Sequence, residues 1–178
     1  MEGVITLVPI GTVAEDLLSH VESALREIFQ RRVEVADPLP HPDYAYNQQR
    51  QQYLAGAVLT RLRKSGAKGE RVLGIVDEDL YTPDLNFVFG QAALGGREAV
   101  IALPRLRQSF YGLPEEDELF LERAVKEAVH ELGHTYGLGH CPDARCVMHF
   151  SNSLHDTDFK SRNFCAACRR YLPRLVSS

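Results

Sequence analysis

The chain has 178 residues, 44% of them apolar and 25% charged, so it is long enough for one domain with a buried core and too ordinary in composition for a disordered or fibrous protein. Its formal net charge is −4, with Lys and Arg scattered among Asp and Glu, which argues against a nucleic-acid partner. No apolar run approaches the roughly eighteen residues of a membrane span, and no basic, apolar leader opens the sequence. We therefore expect a soluble, cytoplasmic monomer without a membrane partner.

Short apolar runs alternate with amphipathic stretches along the chain, which predicts an α/β (mixed α+β) fold around a mixed sheet. Thr12 and Glu15 have the spacing of a capping box at the start of the first helix. The predicted elements, in chain order, are a strand at 4–8, a helix to about 30, a strand at 32–36, a loop from Pro38 through Tyr46, a helix at about 47–64, strands at 72–76, 85–89 and 98–103, a long helix opening at 114–116, and a helix at about 163–171.

The long helix carries the most informative stretch of the sequence, HELGHTYGLGH, which begins at His130 and has the pattern HExxHxxGxxH. His130 and His134 are four residues apart, so they project from one helix face onto a single metal ion. Glu131 lies too far round the helix to bind that ion, yet near enough to hydrogen-bond a water that the ion carries, as a general base must. Gly137 allows the backbone to leave the helix in a left-handed conformation, so that His140 becomes the third ligand.

This ligand set predicts catalytic zinc. Three neutral imidazoles leave the ion doubly positive with an open position, and such a site lowers the pKa of its water to roughly 7. The alternative interpretation is a polar stripe on a solvated helix, which leaves the glycine and the third histidine unexplained. The sequence thus points to a zinc-dependent peptide hydrolase acting on a peptide or protein substrate.

All four cysteines of the chain follow the third histidine, in the pattern CxxxxC and then CxxC: Cys141, Cys146, Cys165 and Cys168. Four thiolates in two pairs suit a closed tetrahedral zinc site, which stabilises the fold and leaves no position for a substrate. Two disulfides or a thioredoxin-like CxxC remain as alternatives, although no secretory signal is visible and no strand is predicted before the CxxC. We expect two zinc ions per chain, one catalytic and one structural.

Met148 follows the third histidine by eight residues, within CVMHF. The combination of HELGHTYGLGHC, CVMHF and CAAC resembles the archaemetzincins, small zinc peptidases of the metzincin clan with an additional four-cysteine zinc site. The resemblance covers about residues 124–171. It implies that Met148 forms a Met-turn, an apolar floor beneath the catalytic metal, and that one domain, 1–178, folds as a metzincin-like zincin. In that fold an upper subdomain (about 1–140) with a twisted sheet and two long helices stands over a small lower one (about 141–178).

The resemblance also implies that a peptide substrate lies extended and antiparallel along an edge strand above the zinc. The segment 86–90 is predicted to be that edge, with a plain core strand as the alternative. Astacin-like and serralysin-like relatives carry a tyrosine where this chain has Phe150, which has no hydroxyl to donate to an oxyanion, so zinc or another donor must serve. His149 and His155 are close enough in sequence to supply a proton, although exposed loop histidines usually have no such role.

The predicted function is therefore zinc-dependent hydrolysis of peptide bonds with Glu131 as the general base. A zinc-bearing module that binds peptides without cutting them is the first alternative, and the missing tyrosine keeps it open. A zinc-stabilised structural or redox protein, in which the cysteines are the functional part, is the second. The intact Glu131 argues against the first alternative, and the three-histidine set against the second.

Overall fold

The structure, a computed structural model, describes residues 3–172, so residues 1–2 and 173–178 of the predicted domain lie outside the described part. Its strands are β1 (Val4–Ile10), β2 (Arg32–Val35), β3 (Tyr46–Asn47), β4 (Gln52–Leu54), β5 (Arg71–Val76), β6 (Leu80–Thr82), β7 (Leu85–Val88), β8 (Gly90–Ala92) and β9 (Glu98–Ala102). Its α-helices are α1 (Glu15–Phe29), α2 (Ala55–Lys64), α3 (Asp117–Thr135), α4 (Leu154–Phe159) and α5 (Ala166–Tyr171).

The main sheet has the strand order β2-β1-β5-β9-β8, with β8 antiparallel to β9 and the other pairs parallel. Its inner strands are apolar at successive positions because both faces are covered, as parallel sheets require. Leu73 and Ile75 of β5 join the core formed with α1 and α3, whereas Val76 joins the core formed with α2. The predicted mixed α/β class is confirmed, and the sheet becomes the rigid support for α3.

A second, smaller sheet has the order β3-β4-β6-β7 and was not predicted as a unit. It occupies part of the stretch expected to form a helix at about 47–64, which in fact becomes helical only at Ala55. The reason lies at Asn47, whose side-chain Oδ1 accepts hydrogen bonds from the backbone N–H groups of Gln49 and Arg50. Such bonds offer the backbone an alternative to a helix. The chain therefore turns back and pairs β3 with β4.

The predicted capping box at Thr12 and Glu15 is wrong. Helix α1 begins at Glu15, its N-cap residue is Ala14, and no side-chain cap hydrogen bond is made there. Because the helix starts at Glu15, Thr12 lies two residues before the N-cap position and cannot cap it.

The predicted edge strand at 86–90 is divided between the two sheets. Strand β7 ends at Val88 and is the edge of the smaller sheet, whereas the antiparallel edge of the main sheet is β8, which begins at Gly90. The edge that lies against α3 is thus displaced toward the C-terminus of the predicted segment.

Between α3 and the last helix, where no element was predicted, the chain forms one short helix, α4. Arg123 and Lys126 of α3 hold α4, the first through a bidentate ion pair with Asp158 at 2.7 Å and the second through the backbone oxygens of Thr157 and Asp158. None of the helices between residues 3 and 172 has the length and hydropathy that crossing a membrane requires.

Candidate active site

Helix α3 positions the first two histidines of the motif on its buried face. The Nδ1 of His130 lies 2.8 Å from the backbone oxygen of Val147, and the Nδ1 of His134 lies 2.7 Å from that of Leu138. A carbonyl oxygen only accepts, so each ring carries its proton on Nδ1 and presents an unprotonated Nε2. Both rings are thereby fixed in orientation and in tautomer.

The third histidine comes from the loop that leaves α3. The backbone N–H of Gly137 donates to the backbone oxygen of His134 (2.9 Å), and that of Leu138 donates to the backbone oxygen of Gly133 (3.1 Å). Gly137 adopts a φ of 95°. This left-handed conformation favours glycine, because a Cβ would crowd the backbone. The chain then reverses, and the exposed His140 ring lies 5.4 Å from His130 and 5.0 Å from His134 between ring centroids. The structure thus brings together the three histidine rings that the motif singles out.

The three rings form a donor set suited to a metal ion. One nitrogen from each lies within 4.8 Å of the others, and the two Nε2 atoms of His130 and His134 are 3.1 Å apart. With both Nδ1 protons committed to carbonyls, these two lone pairs face each other and favour a cation between them. Two nitrogens about 2.0–2.1 Å from a tetrahedral zinc would stand roughly 3.3 Å apart. Burial lowers the pKa of all three histidines below the ordinary value, that of His130 far below it. Neutral imidazoles are therefore favoured.

Glu131 is buried beside this set, in contact with the edge strand. A Cβ at Gly90 would lie only 2.7 Å from its Cγ and 2.9 Å from its Oε1, so the carboxylate packs against a strand position that only glycine leaves open. Burial raises the pKa of Glu131 well above the ordinary value, and the carboxylate of Glu127 one turn earlier raises it further, whereas Lys160 opposes the shift. Such a carboxyl holds a proton far more readily than an exposed one.

Met148 is fully buried beneath the helix that carries the first two histidines. A Cβ at Gly133 would come within 2.4 Å of its Sδ, so the glycine inside the motif makes room for the methionine. The backbone oxygen of Val147, one residue earlier, is the partner of the His130 ring. The turn that contains Met148 thus packs against α3 at Gly133 and contacts the His130 ring through Val147.

The four cysteines form a second donor set close to the first. Their sulfurs lie within 4.8 Å of one another, all four are free, and those of Cys141 and Cys165 are 3.9 Å apart. Two sulfurs about 2.3 Å from a tetrahedral zinc would stand roughly 3.8 Å apart. The backbone N–H of Cys168 points at the Cys165 sulfur and is the main cause that lowers the pKa of Cys165 to about 7. A thiolate is therefore favoured at Cys165. Burial raises the pKa of Cys146 and of Cys168, so these two sulfurs would become thiolates only with a bound cation beside them.

A cleft of about 550 Å³ runs over the three histidines, between the edge segment 82–92 and the residues that follow the Met-turn. Its lining includes Glu127 and Glu131 of α3, and Lys160, which follows α4. Gln91 on β8 and Ser151 after the turn line the cleft from two different segments. The Oε1 of Gln91 and the Oγ of Ser151 are buried, and neither has a hydrogen-bond partner. Buried polar atoms without partners at a cleft are sites where a ligand or water completes the bonding.

Comparison with known proteins agrees with this geometry. The model of peptidase family M54 matches residues 12–174. An archaemetzincin of Thermococcus kodakarensis is 46% identical over 178 residues, covering 96% of each chain. The chain belongs to peptidase family M54, the archaemetzincins. The resemblance inferred from the motifs is thereby confirmed.

Two solved structures support the same assignment. The crystal structure of an archaemetzincin from Methanopyrus kandleri matches with a TM-score of 0.86 at 45% identity, covering 97% of this chain and 94% of its own. That of a zinc-dependent peptidase from Methanocorpusculum labreanum matches with a TM-score of 0.87 at 30% identity, covering 95% and 100%. As a member of the archaemetzincins, the protein is a zinc metallopeptidase.

The remaining sequence predictions at the site have mixed outcomes. The structure assigns neither nearby histidine to the reacting groups: the His149 ring bonds to the backbone oxygen of Cys141 at 2.8 Å, and His155 is exposed on α4. The aromatic ring of Phe150 packs against His140, with centroids 5.1 Å apart. Sequence reasoning missed Lys160 and Glu127, because a single charged residue on a helix or in a loop carries no motif.

Proposed function

We propose that the protein hydrolyses peptide bonds with Glu131 as the general base and with His130, His134 and His140 as the ligands of a catalytic zinc. The observation that carries the proposal is the placement of one buried carboxyl beside three convergent, neutral imidazoles at the floor of an open cleft. When bound, zinc would polarise the scissile carbonyl and lower the pKa of the attacking water.

Glu131 has two proton transfers to perform. Its carboxylate accepts the proton of the water that attacks the scissile carbonyl, and the resulting carboxylic acid passes this proton to the departing amine. Burial supports this role, because a low dielectric surrounding raises the proton affinity of a carboxyl. Its packing against Gly90 limits the positions that the side chain can adopt. A general base acts efficiently only when it is held close to the proton that it accepts.

The peptide backbone is proposed to pair with β8, the edge strand of the main sheet. Edge strands present unpaired N–H and C=O groups, to which an extended peptide adds as a further strand. Gln91 on β8 and Ser151 across the cleft have buried oxygens without partners, and they supply further hydrogen bonds to the bound peptide. The edge strand thus gives the substrate its direction, and these two side chains favour one register.

We also propose that Cys141, Cys146, Cys165 and Cys168 hold a second, structural zinc, which gives two zinc ions per chain. The support is the tetrahedral spacing of the sulfurs and the N–H groups directed at them. In this proposal residues up to about 140 form the upper subdomain, and residues from about 141 form the lower one. The structural zinc then holds together the short segments that a small apolar core cannot stabilise alone.

Digestion of a diverse peptide library, read by mass spectrometry, tests the function. The protein is assayed in three forms: loaded with zinc, stripped by a chelator of its more weakly bound zinc, and reloaded. We assign the more weakly bound zinc to the three-histidine site, because His140 is exposed. We expect products from the loaded and restored samples and none from the stripped one. If the loaded protein retains peptides on a column but yields no products, the non-cleaving binding module replaces the peptidase in this account.

A further inference from the structure

The third histidine is the least constrained member of the three-histidine set. It lies outside α3 and is exposed, whereas His130 and His134 are fixed by both the helix and a carbonyl partner. Between residues 3 and 172 the His140 ring nitrogens have no such hydrogen-bond partner. Its position therefore depends on how the neighbouring backbone is held.

The next residue, Cys141, is held by the Met-turn through two hydrogen bonds. Its backbone N–H donates to the backbone oxygen of Met148 (3.0 Å), and its own backbone oxygen accepts from Nδ1 of His149 (2.8 Å). Because a carbonyl only accepts, the His149 ring must carry a proton on Nδ1. This ring thus joins the loop that carries the third histidine to the turn that contains Met148.

A buried lysine connects the Met-turn to α3, the helix that carries His130 and His134, which we call the zinc helix. The ammonium of Lys160, whose side chain has no exposed area, donates to the backbone oxygen of His149 at 3.1 Å and lies 3.8 Å from a carboxylate oxygen of Glu127. Glu127 also accepts a hydrogen bond from Thr157 of α4 (3.2 Å). A buried ammonium without such partners would be strongly unfavourable. Lys160 therefore holds the Glu127 carboxylate and the backbone oxygen of His149 in place.

We propose that His149 and Lys160 are positioning residues for His140. The chain of contacts runs from Glu127 on the zinc helix to Lys160, from Lys160 to the backbone of His149, and from the His149 ring to the residue that follows the third ligand. It couples the loop ligand to the same helix that carries the other two. This inference rests on the proposed three-histidine zinc site, but not on the identity of the general base.

The test measures metal binding rather than catalysis, in the full-length protein. His149→Phe keeps a ring of similar shape and removes the Nδ1 donor, whereas His149→Asn retains an N–H donor at nearly the same position. His155→Phe is the matched control, because His155 is exposed on the adjacent helix. The affinity of the weaker zinc is measured by competition with a chromophoric chelator. Cobalt is also introduced at the three-histidine site alone, with zinc kept at the cysteine site. The visible spectrum of this protein reports the geometry of the histidine ligands.

We expect His149→Phe to weaken zinc binding at the three-histidine site roughly 10- to 100-fold, the usual effect of losing a partner in the outer shell of a metal site. Its cobalt spectrum should change, and His149→Asn should restore both properties toward those of the unaltered protein. Lys160→Met should weaken binding in the same way, and combining it with His149→Phe should add less than the sum of the two effects.

Two results would overturn the inference. One is a His149→Phe protein that binds the weaker zinc as tightly as His155→Phe does, with the same cobalt spectrum. The other is a His149→Phe protein that has lost thermal stability but not zinc affinity, because this outcome describes a purely structural role. Absence of a second, weaker zinc from the unaltered protein would overturn the proposed function together with the inference.

Discussion

Replacing Gly90 by alanine should displace the general base without removing its carboxylate. The added methyl would lie 2.7 Å from Cγ of Glu131 on one side and 2.7 Å from the backbone oxygen of Val100 on the other. Carbon atoms in favourable contact are about 3.5–4.0 Å apart, so the shortfall is roughly 1 Å. The sheet backbone blocks retreat on the Val100 side, and the glutamate must therefore move.

The expected cost follows from that displacement. Misplacement of a catalytic group by about 1 Å can reduce the rate by about a hundredfold. A hundredfold loss corresponds to about 2.7 kcal/mol in the activation free energy. Overpacking of a filled site should also lower the free energy of unfolding by about 1–3 kcal/mol. The histidines are untouched by this change, so the zinc content should remain that of the unaltered protein.

The assay is kcat for a cleaved peptide at equal zinc content, with the melting temperature recorded in parallel. Gly56→Ala is the matched control, since a Cβ at this exposed position of α2 would meet no atom within 4 Å. It should leave kcat unchanged and raise stability slightly, because alanine is a better helix former than glycine. A Gly90→Ala enzyme that retains nearly full kcat with normal zinc content would refute the idea that β8 fixes the position of Glu131.

Three further changes test other parts of the site. Gly133→Ala should push against the Met148 sulfur, lowering the free energy of unfolding by about 1–3 kcal/mol and weakening zinc binding, as read by melting temperature and elemental analysis. Cys165→Ser should remove one of two zinc ions per chain and lower the melting temperature more than kcat of the folded fraction; an unchanged melting temperature would argue against a structural zinc. The Arg162 guanidinium lowers the pKa of Glu122 below 4.5. The stability that the Arg162–Glu122 ion pair contributes is therefore present above pH 4.5 and is lost as the pH falls through the lowered pKa of the folded state. Glu122→Gln should lower the free energy of unfolding by less than about 1 kcal/mol at neutral pH and should not change it in strong acid.

Much of the site could be predicted because its residues have fixed spacings. A helix places His130 and His134 on one face whatever lies around it, and a glycine such as Gly137 marks the point where the chain reverses. Four cysteines in two short pairs likewise limit the arrangements available to them. Local geometry therefore determined these positions almost independently of the rest of the fold.

The remainder depended on contacts that no motif or spacing in the sequence marks. The Asn47 side chain accepts hydrogen bonds from two backbone N–H groups, and a hairpin replaces the start of the helix predicted at about 47–64. The edge strand nearest to Glu131 was displaced because the stretch 85–92 divides between two sheets, which only the tertiary pairing decides. Lys160 is distant in sequence from Glu127 and carries no motif, so its burial beside the zinc helix could not be inferred.

The most direct test of the central claim compares Glu131→Gln with the unaltered protein at equal zinc content. Glutamine preserves the shape of the side chain and removes its capacity to accept a proton. We predict that the variant binds both zinc ions and peptides normally but loses kcat by about a hundredfold or more, the contribution typical of general acid–base catalysis. A fully metallated Glu131→Gln protein that cleaves the same peptides at an unreduced rate would contradict the account.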